Sequence, residues 1–260
     1  MSTLDIQVNG PVARVYLNRP EVRNAFNDGV IGELTAVFTQ LGADPSLRAV
    51  VLGGHGKAFC AGADLSWMRA MADYTWDENR ADAEALAQML WTVWSCPLPV
   101  VGRVHGDCYA GGVGLAAVCD VLVAAEGVNF CLSEARLGLL PATIGPYVVK
   151  ALGEQASRRY FVTAERFTAQ RAQQLGFVHE CVPAEALDAT VDDMVATLVA
   201  NGPAAVRACK RLVQDVAGRE IDASLRAETA RRIADIRASV EGRDGVQSFL
   251  GKREPAWRTP

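Results

Sequence analysis

The sequence of 260 residues contains no apolar run long enough to cross a membrane and no strongly basic segment. Gly, Pro or a charged residue interrupts each apolar stretch before the roughly 18 residues that a membrane span needs. Lys and Arg are scattered and the net charge is only -4, which argues against a nucleic-acid-binding surface. We therefore expect neither a membrane nor a nucleic acid as a partner.

Cysteine pairs and metal-type spacings are also missing. The seven cysteines include no CxxC pair, a pattern typical of small core residues in a reducing compartment. His55, His105 and His179 show no HxxxH or His/Cys spacing, so no metal site is expected. The first residues have neither the basic start nor the apolar run of a signal peptide. These absences predict a cytoplasmic protein.

What the sequence does have is an alternation of strand and helix patterns. Half of its residues are hydrophobic, enough to bury a large core. Residues 6–17 alternate apolar and polar side chains around Asn9-Gly10, which predicts a β-hairpin. Further along the chain, the pattern predicts a helix through 31–41, strands at 49–52, 98–104, 121–125 and 177–182, and a short helix at 112–119. This alternation predicts an α/β fold.

From about residue 187 onward the strand pattern ends. Helical segments are predicted near 187–200, 203–217, 221–239 and 243–251. Their apolar residues leave a face that must pack on the core or on another subunit. We therefore divide the chain into a core of residues 1–200 and a helical region of residues 201–260.

The first segment that could carry chemistry is residues 56–65, GKAFCAGADL, which follows the strand at 49–52. Asp64 stands where an N-cap would open a helix over 65–71. The N–H groups around Ala63 would then lie near an unsatisfied helix start, which can bind an anion. An ordinary glycine turn with an Asp cap accounts for the same residues.

The second segment, residues 104–120, is rich in glycine. Glycines allow the chain to approach a ligand closely, and a helix that begins near Gly112 would direct further N–H groups at it. Tight helix packing is the alternative. Gly112, Gly114 and Ala117 also mimic a dinucleotide-binding fingerprint, which we disfavour because the preceding strand ends near Val104, too early to run into them.

The third segment surrounds Glu134, the only carboxylate between Gly127 and Gly153. Its neighbours are mostly apolar, and desolvation disfavours the charged form of a carboxyl group. We therefore expect Glu134 to have a raised pKa and to be able to act as a general acid or base. The alternative is a structural glutamate at a helix start, paired with Arg136.

Taken together, in this order and spacing, the three segments resemble the enoyl-CoA hydratase/isomerase (crotonase) family, from the first hairpin to Phe249. The resemblance implies an α/β fold made of a spiral of ββα units, followed by a C-terminal helical oligomerisation region. It implies a homotrimer or a dimer of trimers. It also implies an acyl-CoA thioester substrate and no separate cofactor, since coenzyme A is part of the substrate.

The family pattern also implies roles for individual residues. The N–H groups of Ala63 and Gly111 would form an oxyanion hole, which can stabilise a thioester enolate by several kcal/mol. Glu134 would be the catalytic acid/base. Coenzyme contacts are implied for residues of the loop after Asn18, of the first segment, and of the tail of a neighbouring subunit, namely Arg23, Ala25, Ala61, Asp64, Leu65, Phe249 and Lys252.

One position departs from the pattern of two-glutamate hydratases. Gly114 stands where those enzymes carry their first catalytic Glu. The segment 130–167 is most similar to bacterial methylglutaconyl-CoA hydratases of leucine and isoprenoid breakdown, which implies a short or branched 2-enoyl-CoA as substrate. A second carboxylate on such a substrate would meet a cation, with Arg136 and Arg69 as the candidates.

Three questions stay open at this point. An enoyl-CoA isomerase needs a single carboxylate and therefore also suits Glu134 with Gly114. A coenzyme A-binding homologue without turnover would suit a Glu134 that is ion-paired away from the acyl pocket. A further polar group, Asp107 or Tyr109, could replace the missing glutamate.

Overall fold

The computed structural model of this protein describes residues 2–258. Within that range the strands, in chain order, are β1 Leu4–Asn9, β2 Val12–Leu17, β3 Ala49–Gly54, β4 Ala58–Cys60, β5 Val100–Val104, β6 Asp107–Tyr109, β7 Val121–Ala125, β8 Asn129–Cys131, β9 Arg166–Thr168 and β10 Glu180–Val182. The α-helices are α1 Asp28–Ala43, α2 Leu65–Met71, α3 Trp76–Trp94, α4 Gly111–Ala117, α5 Gly145–Leu152, α6 Glu154–Thr163, α7 Ala169–Gln174, α8 Leu187–Ala200, α9 Pro203–Val216, α10 Ala223–Ala238 and α11 Val240–Gly251. Strands and helices mix as far as β10, which confirms the predicted α/β class.

The strands form a six-stranded sheet in the order β1-β2-β3-β5-β7-β10 and a four-stranded sheet in the order β4-β6-β8-β9. Only β1 in the larger sheet and β9 in the smaller one pair antiparallel with their neighbours. The first hairpin turns at Gly10, where a left-handed φ of 56° suits glycine.

Each repeating unit gives one strand to each sheet. β3, β5 and β7 are neighbours in the larger sheet, and the strands that follow them, β4, β6 and β8, are neighbours in the smaller one. At least one helix follows each of these strand pairs. This arrangement confirms the expected spiral of ββα units. It also brings the carboxyl ends of β4, β6 and β8 to one edge, because these three strands are parallel.

The C-terminal region is helical. No strand follows β10 in the part of the chain that the structure describes. The division between residues 200 and 201 stays a prediction; it falls in the short link between α8, which ends at Ala200, and α9, which begins at Pro203. Large apolar side chains remain exposed on the last two helices, among them Ile233, Val240 and Phe249.

Two predicted strands are shorter than expected. β5 begins at Val100 rather than at 98, since Pro97 and Pro99 have no N–H group to give to a ladder. β10 begins at Glu180 rather than at 177. Just before this strand, the N–H of Leu122 donates to the ring atom His179 Nδ1 at 2.9 Å and not to a backbone carbonyl of a β ladder.

Candidate active site

The first and second segments meet at the carboxyl ends of β4 and β6. These strands pair with Ala58 opposite Asp107, so the loops that leave them run side by side. Gly62 has a left-handed φ of 92°. A Cβ atom there would lie 2.9 Å from Cβ of Ala110 and 3.7 Å from the backbone N of Gly111. Only glycine allows this approach, and it places Ala63 and Gly111 at the same edge of the sheet.

The backbone on either side of Ala63 is hydrogen-bonded to Phe26. Phe26 forms a parallel bridge with it: the Phe26 N–H donates to Gly62 O at 2.7 Å, and the Asp64 N–H donates to Phe26 O at 2.8 Å. These bonds use the peptide groups on either side of Ala63. Its own N–H donates to no acceptor within residues 2–258, so it is free to meet a ligand.

Gly111 supplies a second free donor. It is the first residue of α4, where N–H groups have no partner inside the helix, and no other acceptor in the described chain takes its N–H. The preceding residue, Ala110, has a φ of 48° and a ψ of -121°, a strained backbone for a residue with a side chain. Its N–H is bonded to Cys131 O at 2.8 Å. The hydrogen bond to β8 thus stabilises the strained backbone of Ala110, and this conformation sets the direction of the peptide that follows.

Glu134 follows β8 at the same edge. It begins a short 3-10 turn, Glu134–Leu137, three residues after the Cys131 carbonyl that holds Ala110. Its Oε2 atom is shielded from solvent and, among residues 2–258, has no hydrogen-bond partner. Burial raises the pKa of the carboxyl group, partly offset by a hydrogen bond from its own backbone N–H. The prediction of a raised pKa agrees with this arrangement.

Arg136 does not neutralise Glu134. Its guanidinium instead donates to Ala164 O at 2.5 Å. The alternative of a structural Glu134–Arg136 ion pair is therefore wrong. An unpaired carboxylate oxygen that is shielded from water is costly, and such groups cluster at functional sites. Arg69, the other candidate cation, is exposed in the last turn of α2.

The space beside Gly114 is filled. A Cβ atom on Gly114 would lie 2.1 Å from Cγ2 and 2.5 Å from Cβ of Ile144, the residue before α5. Ile144 is 2% exposed. No side chain larger than hydrogen fits at Gly114 unless Ile144 moves. This contact lies between two helices far apart in sequence, so no local pattern could have revealed it.

Asp107 and Tyr109 bond to each other. The Tyr109 hydroxyl donates to Asp107 Oδ2 at 2.7 Å. Burial, followed by this bond, raises the pKa of Tyr109 to about 12. The hydroxyl is therefore neutral and already engaged with Asp107, which gives no support to either residue as a replacement for the missing glutamate.

The residues expected to bind coenzyme A are only partly brought together. Arg23 and Ala61 line one small pocket with Lys57, Asp107 and Tyr109. Ala25 lies nearby in sequence but is buried, while Leu65 is 71% exposed at the start of α2. The lining of this pocket includes two cationic side chains and one carboxylate, Asp107, so the balance of charge favours an anionic ligand.

The tail residues lie on a separate element. Phe249 is 84% exposed in α11, and Lys252 is the exposed residue that ends this helix. Within the chain α11 packs on α9 and α10. Their contact with coenzyme A in a neighbouring subunit therefore stays a prediction.

Sequence reasoning did not find the ion pair between Arg19 and Asp64. The Arg19 guanidinium donates to Asp64 Oδ2 at 2.8 Å and to Ala25 O at 2.7 Å. Asp64 caps α2 as predicted, since its Oδ1 accepts from the Ser66 N–H. The two residues lie 45 positions apart in the sequence, so no local pattern links them.

No three His, Cys, Asp or Glu side chains come together as a metal site would need, within the range 2–258. In the same range no helix has the length and apolar character of a membrane span.

Comparisons with known proteins identify the family of the chain. The family model described as enoyl-CoA hydratase/isomerase matches residues 7–260. Enoyl-CoA hydratase ACTT6 of Alternaria alternata is 33% identical, over 94% of this chain and 80% of its own length. The 2,3-dehydroadipyl-CoA hydratase of Escherichia coli is 29% identical over 99% of both chains. A crystal structure of an enoyl-CoA hydratase from Shewanella pealeana superposes with a TM-score of 0.95 at 38% identity, and covers 98% of this chain and 96% of that one.

Proposed function

The chain belongs to the enoyl-CoA hydratase/isomerase family and is an enzyme of the enoyl-CoA hydratase class, and we propose that it hydrates a short or branched 2-enoyl-CoA thioester. In this proposal Ala63 and Gly111 form the oxyanion hole, and Glu134 is the acid/base. No separate cofactor is needed, since coenzyme A is part of the substrate. The observation that carries the proposal is the shielded, unpaired Oε2 of Glu134 at the same sheet edge as two free N–H groups.

The reaction follows from these groups. Glu134 takes a proton from a water molecule, and the resulting hydroxide forms a bond to C3 of the enoyl group. The electron pair of the C2–C3 double bond moves toward the thioester, so that negative charge builds on its oxygen. The two N–H groups stabilise this enolate, and one preorganised donor of this kind is worth roughly 3–4 kcal/mol. The proton held by Glu134 then passes to C2, which completes the addition of water.

A raised pKa suits both halves of this cycle. An ordinary glutamate is a weak base and, once protonated, loses its proton readily to water. Burial in the site raises the pKa of Glu134, which makes the carboxylate a better base toward water and the carboxylic acid a longer-lived donor toward C2. One residue could therefore perform both steps.

Because position 114 is glycine, Glu134 is the only carboxylate at the two family positions. A single carboxylate also suits the alternative reaction, an enoyl-CoA isomerisation, in which Glu134 would move a proton between two carbon atoms. The two reactions differ in whether water enters the product. Relatives named as hydratases over almost the full length of the chain favour hydration.

The acyl group proposed here is a branched or dicarboxylic one, similar to methylglutaconyl-CoA. A relative named for 2,3-dehydroadipyl-CoA is consistent with a substrate that carries a second carboxylate. Arg136 could meet this group, because the structure gives its guanidinium one carbonyl partner, Ala164, and the side chain is exposed. Full activity of Arg136→Ala on 3-methylglutaconyl-CoA would remove Arg136 from this role and leave Arg69.

The proposed assembly is a homotrimer or a dimer of trimers. Support comes from the apolar side chains that α11 leaves exposed, among them Val246, Phe249 and Leu250. The proposed location is the cytoplasm, on the basis of the seven free cysteines. Sedimentation of the purified protein tests the assembly.

Product masses test the reaction. The purified protein is incubated with crotonyl-CoA, with 3-methylglutaconyl-CoA and with a 3-enoyl-CoA. Gain of one water on a 2-enoyl substrate supports hydration, and preference for the branched diacid supports the proposed acyl group. Migration of the double bond in the 3-enoyl substrate without any gain of water would replace hydration by isomerisation.

A further inference from the structure

One arginine side chain joins the loop that contains Ala63 to the segment that precedes α1. Arg19 lies between β2 and α1, and its guanidinium donates through one nitrogen to Ala25 O and through another to Asp64 Oδ2. The side chains of Arg19 and Asp64 are 18% and 6% exposed. A charge-assisted hydrogen bond from a guanidinium has a defined direction, and removal of one partner of a shielded pair is costly because the other charge is left uncompensated.

Further hydrogen bonds hold both Arg19 and Asp64 in place. The backbone N–H of Arg19 donates to Asn24 Oδ1 at 2.9 Å. The Asn24 amide in turn donates to His55 O and Ala58 O, each at 2.8 Å, so Arg19 is connected to the strands that precede the site. At the other end, Asp64 Oδ1 accepts from the N–H and the hydroxyl of Ser66. Hydrogen bonds from Ser66, with a smaller contribution from Arg19, lower the pKa of Asp64 to about 2.

Ala63 is placed between the two anchored points. On one side Phe26, one residue after Ala25, is bonded to Gly62 and Asp64. On the other side Asp64 begins α2. The guanidinium therefore joins a neighbour of each bridge partner, namely Ala25, which precedes Phe26, and Asp64, which follows Ala63. A planar group with several fixed donors can join two such acceptors, whereas a lysine ammonium acts as a single point charge.

We propose that Arg19 is a positioning residue that fixes the direction of the Ala63 N–H by joining Ala25 and Asp64. The inference rests on the oxyanion hole of the proposed function. Arg19 touches no reacting atom in this account. Its effect is on how well one donor is aligned with the thioester oxygen, and a misplacement of about 1 Å can cost roughly a hundredfold in rate.

The test measures donor alignment directly. Isotope-edited infrared spectra are recorded for butyryl-CoA, labelled with ¹³C at its carbonyl, bound to each variant. The butyryl group has no carbon–carbon double bond and cannot be hydrated, so the carbonyl frequency is measured without turnover. Hydrogen bonds from the oxyanion hole lower the frequency of the carbonyl band. The variants are Arg19→Ala, Arg19→Lys and Asp64→Asn, and thermal unfolding reports whether each is folded.

Arg103→Ala is the matched control. The Arg103 side chain is 17% exposed, close to the 18% of Arg19, and it pairs with Asp188 on α8. Among the described residues, no hydrogen bond or ion pair joins the side chain of Arg103 or Asp188 to the 25–26 segment or to the 62–64 loop. Loss of this ion pair should leave the carbonyl band where it is in the unmodified protein, and it should cost less stability, because Asp188 is 72% exposed and Asp64 only 6%.

In Arg19→Ala we expect the carbonyl band to move back toward its frequency in free butyryl-CoA. With the enoyl-CoA that the protein turns over, kcat should fall about 10- to 100-fold while KM stays close to its unmodified value. For Arg19→Lys and Asp64→Asn, the band frequency and kcat should lie between the values of the unmodified protein and those of Arg19→Ala. These two variants test the inference if Arg19→Ala does not fold. An unchanged band in folded Arg19 variants would overturn the inference.

The same experiment separates this inference from the proposed function. If the band moves in Arg19→Ala but no substrate gains water, the positioning role stands and hydration is wrong. If the unmodified protein hydrates an enoyl-CoA but the band is the same in all variants, hydration stands and the positioning role is wrong. A bound butyryl-CoA whose band is never shifted, even in the unmodified protein, would overturn both the oxyanion hole and the role of Arg19.

Discussion

Ile144 occupies the space that a side chain on Gly114 would need, with Cγ2 only 2.1 Å from the position of a Cβ atom there. Gly114 lies in α4, the helix whose first N–H is one of the two free donors, and α5 follows directly after Ile144. The glycine is therefore required by packing. A glutamate cannot simply be restored at this position.

The first prediction concerns this contact. Gly114→Ala should destabilise the protein by about 1–3 kcal/mol, the usual cost of overpacking a tight core. The double variant Gly114→Ala/Ile144→Ala should be less destabilised than the sum of its single variants, because the added methyl group then fills the space that Ile144 leaves. Urea unfolding measures the four free energies of unfolding.

Gly127→Ala is the control for this cycle, since a Cβ atom on Gly127 meets nothing within 4 Å and its backbone is not left-handed. It should change the free energy of unfolding by no more than a surface substitution does, about 0.5 kcal/mol. Strict additivity of the Gly114 and Ile144 substitutions would show that the two residues do not compete for the same space.

The second prediction concerns Gly62. Gly62→Ala adds the cost of a left-handed backbone, about 1–2 kcal/mol, to a clash with Ala110. The clash should push the two donor loops apart and lower turnover. Gly176→Ala is matched to it, with a φ of 78° and open space around the added atom, and should lose stability without losing activity. Equal activity of the two variants would argue against Gly62 as the residue that brings the loops together.

The fold was predictable from the sequence where the determinants are local. Asp64 as the N-cap and the bounds of α2 follow from neighbouring residues, and the structure agrees with them to the residue. The hairpin turn at Asn9-Gly10 is equally local. The end of the strands at Val182 was predictable because the later segments show only helical spacing.

The site was predictable only in part. The surroundings of Glu134 are local, so the burial that raises its pKa could be inferred. The Arg19–Asp64 ion pair and the contact of Ile144 with Gly114 join distant parts of the chain, and a single sequence carries no record of such contacts. The bond from Arg136 to Ala164 O could not be inferred for the same reason, since α5 and α6 separate the two residues in the sequence.

The third prediction is a pH dependence of activity. Glu134 must be ionised to accept a proton, and burial raises its pKa. As the pH falls, kcat/KM should therefore decline at a higher pH than an ordinary glutamate, with a pKa of about 4.3, would give. A pH series of initial rates measures this limb. A decline centred near the ordinary value would show that the free enzyme does not hold Glu134 in a desolvated state.

The fourth prediction is that Glu134→Gln stabilises the fold at neutral pH. A carboxyl group whose pKa is raised in the folded state binds its proton more tightly there than in the unfolded chain, so its ionised form opposes folding above the folded pKa. The neutral amide removes this penalty. The gain should disappear as the pH falls below the unfolded pKa of about 4.3, where both states are protonated. Urea unfolding at several pH values measures it, and a gain that persists in acid would have another cause.

The role of Glu134 as acid/base is tested by comparing the unmodified protein with Glu134→Gln in ¹⁸O-labelled water. Both are incubated with the 2-enoyl-CoA that the unmodified protein turns over fastest, and the mass of the product is measured by mass spectrometry. We predict that the unmodified protein adds one labelled water, and that Glu134→Gln binds the thioester but forms this product at least about a hundredfold more slowly. Near-normal incorporation of label by Glu134→Gln would contradict the assignment of Glu134 as the acid/base.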